Sequence, residues 1–246
     1  MTIDNQFAER IRDRLVEELT DVNEQLEQFA YVASHDLREP LRTIVCFTDL
    51  LEKEYADRLD DEGRRYMAIN RQAAKKMEAL VSNLLEFARL GQNAQRLEET
   101  DCNDILRQAK EALGESLRST QAVIESDFLP TVRANPLRLC SLFQNLIGNA
   151  IKYQALGVVP LIRISAREQN DDWLFSLADN GIGIRSEYLN VIFSPFKRLH
   201  SDQEYVGTGI GLSLCKRIVE SLGGNIWAES ESGKGSVFYF TLPKRG

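Results

Sequence analysis

Ser34-His35-Asp36-Leu37-Arg38-Glu39-Pro40-Leu41 sets an imidazole beside a carboxylate inside a long helical pattern, with a proline five residues after the histidine. Pro40 has no N–H to offer the Asp36 carbonyl and its ring crowds that carbonyl, so a bend is expected just below His35. A bend beside a polar pair suggests a side chain presented to a partner. Taken alone, a His-Asp pair on a helix is more often a solvated surface feature.

Upstream, Leu15, Leu19, Val22, Leu26, Phe29 and Ala33 follow spacings of 4, 3, 4, 3 and 4, the 3.5-residue period of a coiled-coil seam. The next seam positions are Asp36 and Pro40, and the apolar stripe resumes at Ile44, Phe47 and Leu51. A turn is expected around Asp57 to Asp60, and Asp60-Asp61-Glu62 puts negative charge where the next helix dipole favours it. The second helix carries Met67, Asn70, Ala74, Met77, Val81, Leu84 and Ala88 and is expected to end at Gly91. One antiparallel pair cannot bury stripes on both helices, whereas two copies close a four-helix bundle. A monomeric hairpin packed on the rest of the chain is the alternative.

At 246 residues the chain suggests two domains. Residues 1–92 are the helical domain, 93–99 a linker and 100–246 the second domain. In the latter, Leu97–Asp101, Ala122–Ser126, Val132–Ala134, Leu161–Arg167, Trp173–Ala178, Asn225–Glu229 and Ser236–Leu242 read as strands. Helices are expected over Asn103–Leu117, Pro136–Tyr153 and Ile210–Leu222. The expected architecture is an α+β sandwich, a mixed sheet covered by helices.

Residues 1–92 carry 13 Lys+Arg against 19 Asp+Glu, and residues 93–246 carry 17 against 18. Neither half has the basic surplus of a nucleic-acid binder. No stretch reaches the ~20 apolar residues that span a bilayer, and the polar N-terminus lacks a signal peptide's apolar core. A soluble, cytoplasmic chain is expected. Cys46, Cys102, Cys140 and Cys215 form no CxxC and read as reduced, mostly buried thiols. With only His35 and His200 present, a His-rich catalytic metal site is not expected.

Asn145, Asn149 and Lys152 fall at i, i+4 and i+7, so one helix face carries two amides and an amine. Burying that face unpartnered would cost several kcal/mol, which suggests a polar ligand; a solvated face is the alternative. An amide oxygen suits Mg²⁺, which prefers oxygen and keeps waters and phosphates around it. Asp179-Asn180-Gly181-Ile182-Gly183 puts a carboxylate at a strand end, able to accept from an exocyclic amine, with glycines that allow close backbone approach. Alone, it is also an ordinary Asp-Gly turn. Gly207-Thr208-Gly209-Ile210-Gly211-Leu212 opens a helix whose N–H groups can bind an anion. It is neither a Rossmann fingerprint nor a P-loop.

The order of these elements, with Phe193-Ser194-Pro195-Phe196 between the glycine stretches, resembles the N box, first glycine box, F box and second glycine box of two-component sensor histidine kinases. Ser34 to Leu41 resembles a phytochrome-like H box. The resemblance implies an autokinase that uses Mg·ATP to phosphorylate His35 and then donates the phosphoryl group to an aspartate of a response regulator receiver domain. It implies a homodimer and an upstream sensor domain not present in this chain. By position, Asn149 is implied as the Mg²⁺ ligand, Asn145 and Lys152 as phosphate-side groups, and Tyr153 as a wall against adenine. Asp179 is implied as the adenine-amine acceptor beside Gly181 and Gly183, and Gly207, Gly209 and Gly211 as the phosphate-proximal turn. Residues 197–206 are implied as the ATP lid, with Arg198 reaching the γ-phosphate and His200 a solvated lid residue. Asp36 would fix the His35 tautomer, making Nε2 the nucleophile. Phe193 and Phe196 read as core that anchors the lid. Family members that also dephosphorylate their regulator often carry Thr or Asn four residues after the histidine, where this chain has Glu39. An ATP-driven conformational machine of the same superfamily, or a non-catalytic dimeric docking module, are the rival readings.

Overall fold

A computed structural model describes residues 14, 32, 36–55, 58–89, 97–199, 205 and 208–244, and of 83–89 the backbone only. The chain divides into two units, Met1–Asn93 and Ala94–Gly246.

In the first unit, helix α1 covers residues 36–55 and α2 covers Asp61–Arg89. The helical backbone continues through Pro40. Asp60 starts α2 by accepting from the Gly63 N–H at 2.7 Å, and Asp61 and Glu62 fill the first turn as the dipole favours. An Arg71–Glu52 ion pair joins the two helices. Leu41 and Thr48 on α1 and Ala74 and Val81 on α2 are buried, each pair seven residues apart. The resumed stripe is not: Ile44, Phe47 and Leu51 are 46%, 61% and 46% exposed. This hairpin therefore keeps a second apolar face that its own two helices do not cover. The seam from Leu15 to Ala33, His35 itself and the stop at Gly91 lie outside the described residues.

The second unit holds a two-stranded antiparallel ribbon of β1 (Glu98–Asp101) with β3 (Thr131–Ala134). Beside it lies a five-stranded sheet in the order β2-β4-β5-β7-β6. Its strands are β2 (Val123–Ser126), β4 (Leu161–Gln169), β5 (Asp172–Asp179), β6 (Ile226–Glu231) and β7 (Gly235–Pro243). Only β2 and β4 run parallel, so the sheet is mixed as expected.

The single helix expected over Asn103–Leu117 is two, α3 (Cys102–Ala112) and α4 (Gly114–Thr120). The chain breaks at Leu113 (φ −91°, ψ 8°), beside a glycine that is a weak helix former. Asp101 caps α3 by accepting from the Asn103 N–H at 2.8 Å.

Helix α5 (Pro136–Lys152) starts with proline at its first position and an Asn135 cap whose Oδ1 accepts from the Arg138 N–H at 3.1 Å. Leu139, Leu142, Phe143, Leu146 and Ile147 are fully buried. At about 1.5–3 kcal/mol each, they fix the rotation of α5 with something on the order of 10 kcal/mol. Phe143 meets Phe175 of β5 and Phe240 of β7 edge-on, and those two rings stack at 4.7 Å. With the apolar face locked on the sheet, Asn145, Asn149 and Lys152 are held at its less buried edge.

The cysteines depart from expectation. All are free, but only Cys102 and Cys215 are buried; Cys140 is partly exposed and Cys46 exposed. Burial, with Asp101 nearby, pushes the Cys102 thiol up to about 12. Among the described residues no helix is long and apolar enough to cross a membrane.

Candidate nucleotide site

The polar edge of α5 is ordered by its own bonds. Asn145 Nδ2 donates to the Ser141 carbonyl at 2.9 Å. Tyr153 closes the helix, its N–H donating to Asn149 O at 2.9 Å. Lys152 Nζ donates to Tyr153 Oη at 2.8 Å and lies 4.3 Å from that ring's centroid. The ammonium sits on its neighbour's phenol, and a phosphate would have to draw it away.

Asp179 ends β5 and turns back into the chain. Its Oδ1 accepts from the Gly181 N–H at 2.8 Å and the Ser236 N–H at 3.2 Å, which leaves Oδ2 for another donor. Loss of water around it pushes the carboxyl above the usual Asp range, and the two N–H bonds oppose that shift. The glycines that follow serve the protein's own backbone. A Cβ on Gly181 would stand 2.4 Å from Tyr153 O, which already accepts from the Ile182 N–H at 2.9 Å. Gly183 has φ +69°, and a Cβ there would fall 2.1 Å from Glu231 O.

One cavity is lined by Asp179, Ser236, Phe238, Ile182, Gly183 and Leu212, mostly apolar around a single carboxylate. A second is lined by Asn145, Lys152, Thr208, Gly209 and Gly211. Asn149, Tyr153, Ile192, Lys197, Arg198 and Leu212 line both, so the two are ends of one cleft. At the polar end Gly211 begins α6 (Gly211–Ser221), and its backbone comes within van der Waals range of Asn145. The unpaired N–H groups and positive dipole end of that helix suit an anion.

The fold thus gathers Asn145, Asn149, Lys152, Tyr153, Asp179, Gly183, Arg198, Gly209 and Gly211 around one cleft, with Gly181 behind it. Asp36 is exposed on α1 in the other unit, and His35, His200 and Gly207 lie outside the described residues. No group of three or more His, Cys, Asp or Glu placed to hold a metal ion occurs among the described residues. Phe196 departs from the core role expected of it: it is 63% exposed with φ +61°, while Phe193 is half-buried.

Four residues received no individual role in the sequence reading. Ser236 supports Asp179 through its N–H, and Lys197 lines both ends of the cleft. Asn180 stitches the loop after α5: Oδ1 accepts from the Leu161 N–H at 2.8 Å and Nδ2 donates to Val159 O at 3.0 Å. Tyr205 packs its ring on Tyr153 with centroids 5.1 Å apart. The sequence reading placed it within the 197–206 lid without a role of its own.

A family model described as Histidine kinase-, DNA gyrase B-, and HSP90-like ATPase matches residues 134–246, and one described as His Kinase A (phospho-acceptor) domain matches residues 25–93. Cyanobacterial phytochrome A of Nostoc sp. is 41% identical over 95% of this chain and 30% of its own length. The chain spans less than a third of the first curated relatives it matches. The crystal structure of full-length ShkA in complex with AMPPNP superposes with a TM-score of 0.68 at 29% identity, over 88% of this chain and 45% of that one. Histidine kinase ThkA in complex with the response regulator protein TrrA gives a TM-score of 0.58 at 27% identity, over 89% of this chain and 61% of that one. A phosphoacceptor match followed by an ATPase match, on a fold whose cleft joins an acid-lined apolar end to a helix N-terminus, identifies the chain as a member of the sensor histidine kinase family.

Proposed function

We propose that the chain is the kinase core of a two-component sensor: a homodimer that transfers the γ-phosphoryl group of ATP to His35 and then to an aspartate of a response regulator. The observation that carries this reading is the two-ended cleft. Its apolar end has one carboxylate oxygen to spare at Asp179, and its polar end joins the α5 amides to the N-terminus of α6. That is the profile of a base with an exocyclic amine joined to a polyphosphate.

In this reading Asp179 Oδ2 accepts from the adenine amine and Tyr153 walls the ring. The Gly207, Gly209 and Gly211 turn and Lys152 take the phosphates, and Arg198 approaches the γ-phosphate. Asn145 orders the same edge. Mg²⁺, when bound, neutralises charge that builds on the phosphates. Asn149 is the residue that would hold it, a neutral oxygen in a cleft without an acidic cluster, so most of the ion's shell is left to phosphate and water. His35 Nε2 forms the bond to phosphorus as the bond to the β–γ bridging oxygen breaks and ADP leaves. Asp36, accepting from Nδ1–H, holds the tautomer that exposes Nε2. We assign the phosphoacceptor domain to 1–92, the linker to 93–99 and the ATP-binding domain to 100–246. A sensor domain outside this chain would supply the input, and the four free thiols favour the reducing cytoplasm.

Incubation with Mg·ATP radiolabelled in the γ position tests the proposal. Label should appear on the protein, be lost in acid and kept in alkali, and be absent from His35→Gln. Full labelling of His35→Gln would overturn the assignment, and release of inorganic phosphate with no phosphoprotein would point instead to a conformational ATPase.

A further inference from the structure

We infer that Tyr205 is a positioning residue for the nucleotide, a strap that holds the wall of the base end and aims the arginine of the phosphate end. The inference rests on the nucleotide reading above. Tyr205 is fixed at three points. Its ring lies tilted 50° against Tyr153, with centroids 5.1 Å apart. Its hydroxyl donates to Gln154 O at 3.0 Å, at the exit of α5. Its own carbonyl accepts from Arg198 Nη2 at 2.8 Å.

Each anchor touches a different part of the cleft. Tyr153 lines both ends, so a ring packed on it restrains the surface a base would stack against. Gln154 is itself immobilised: Nε2 donates to Ala150 O at 2.8 Å and to Asn180 Oδ1 at 3.1 Å, one residue after Asp179. The hydroxyl bond therefore ties Tyr205 to the same framework that carries the carboxylate. Arg198 Nη2 donates to the Tyr205 carbonyl, so the angle at which the guanidinium stands at the cleft is set by that carbonyl. The carbonyl stays in place because the side chain is fastened at its far end. Removing the side chain should loosen the base wall and the guanidinium together.

The test is calorimetric titration of ADP and of a non-hydrolysable ATP analogue into the full chain, as wild type, Tyr205→Phe and Tyr205→Ala, with melting temperatures as a folding control. Tyr205→Phe keeps the ring and loses only a neutral hydrogen bond, so ADP should bind about two- to tenfold more weakly. Tyr205→Ala also loses the aromatic contact and should weaken ADP at least about tenfold. The ATP analogue should lose more than ADP in Tyr205→Ala, because only it carries the phosphate nearest Arg198; a merely structural loss would scale both nucleotides equally. Affinities of both variants within about twofold of wild type would overturn the inference and leave the nucleotide reading intact. Equal losses for the two nucleotides would overturn the aiming of Arg198. Wild-type protein that bound neither nucleotide would remove the reading itself, and the inference with it.

Discussion

Gly211 sits so close to α5 that a Cβ there would stand 2.6 Å from Asn145 Oδ1. The obstacle is the tip of a side chain, whose movement costs the fold little but breaks the Asn145 bond to Ser141 O. Gly211→Ala should therefore fold with a melting point no more than about 4 °C lower, since a loss near 1 kcal/mol shifts a domain of this size by about 2–4 °C. It should bind ATP on the order of tenfold more weakly, a loss like that of one hydrogen bond to a charged group. Gly183→Ala is the contrasting case: φ is +69° and the obstacle, Glu231 O, is backbone. It should cost upward of ~2 kcal/mol whether or not nucleotide is present. Thermal melts of both variants with titrated nucleotide separate the two outcomes.

Asp179→Asn should trade stability against binding. The amide keeps an oxygen for the Gly181 N–H but turns a donor toward the cleft, where an amine also donates. Affinity for ATP should fall about ten- to hundredfold, as for a lost hydrogen bond to a charged group. Without ligand the variant should be the more stable at neutral pH, because burial penalises the native carboxylate. The sign follows from the raised pKa. The folded state holds the Asp179 proton more tightly than the unfolded chain, so its contribution is fully present below the usual Asp range. It is lost as pH rises through the raised value. The gap in melting temperature between variant and wild type should open across that interval and then stay level. A gap independent of pH would contradict this.

Phe47→Asp should dissociate the proposed dimer. Ile44, Phe47 and Leu51 form an apolar stripe that stays exposed on α1 while Leu41 is buried. A carboxylate at its most exposed member costs the single hairpin little and a closed bundle much. Sedimentation equilibrium of residues 1–92 should show a dimer for wild type and a monomer for the variant. A wild-type monomer at tens of micromolar would favour the isolated hairpin.

Glu39 stands four residues after His35 in the sequence and is exposed on α1, its carbonyl accepting from Thr43 Oγ1 at 3.1 Å. A carboxylate there cannot donate to a water attacking a regulator's aspartyl phosphate, and it repels a group of about −2 charge. At ~6 Å each unit pair costs about 0.7 kcal/mol in water and ~3 at an effective dielectric near 20. Glu39→Asn should therefore speed the decay of purified phospho-regulator relative to wild type. Rapid wild-type decay that vanishes in Glu39→Ala would reverse the sign of this residue's role.

What could be read in the chain without coordinates followed how local each signal is. The five strands of the main sheet and helices α5 and α6 appear within about two residues of their expected bounds, because alternation and 3.6-residue spacing are properties of short windows. Asn145, Asn149 and Lys152 were legible as one helix face for the same reason. The break at Leu113 was hidden in a continuous polar-apolar rhythm, and only Gly114 marked it. The partners of the glycines were not legible at all. Nothing near Gly183 in the sequence announces Glu231, nor does anything near Gly181 announce the Tyr153 carbonyl. Tyr205 and Ser236 escaped because their value lies in what they touch across the fold. Phe196 failed in the other direction, an apolar residue read as core that stands in solvent.

The parallel pairing of β2 with β4 has a consequence for how this molecule assembles. Val123 pairs with Leu161, and the whole of β3 and α5 lies between them. The neighbouring pairs β4–β5 and β6–β7 are hairpins that can close as soon as a short turn forms. Strand β2 can take its edge place only once the chain has travelled out along α5 and returned, a loop closure far costlier in entropy. The helix bearing the amides is thus enclosed by one of the two long-range closures of the sheet, the other being β5 with β7, and β2, a short edge strand, should show little amide-exchange protection. A nucleotide gripping α5 would slow the detachment of that edge strand, so that occupancy of the cleft could be read as lengthened exchange times at Val123 to Ser126.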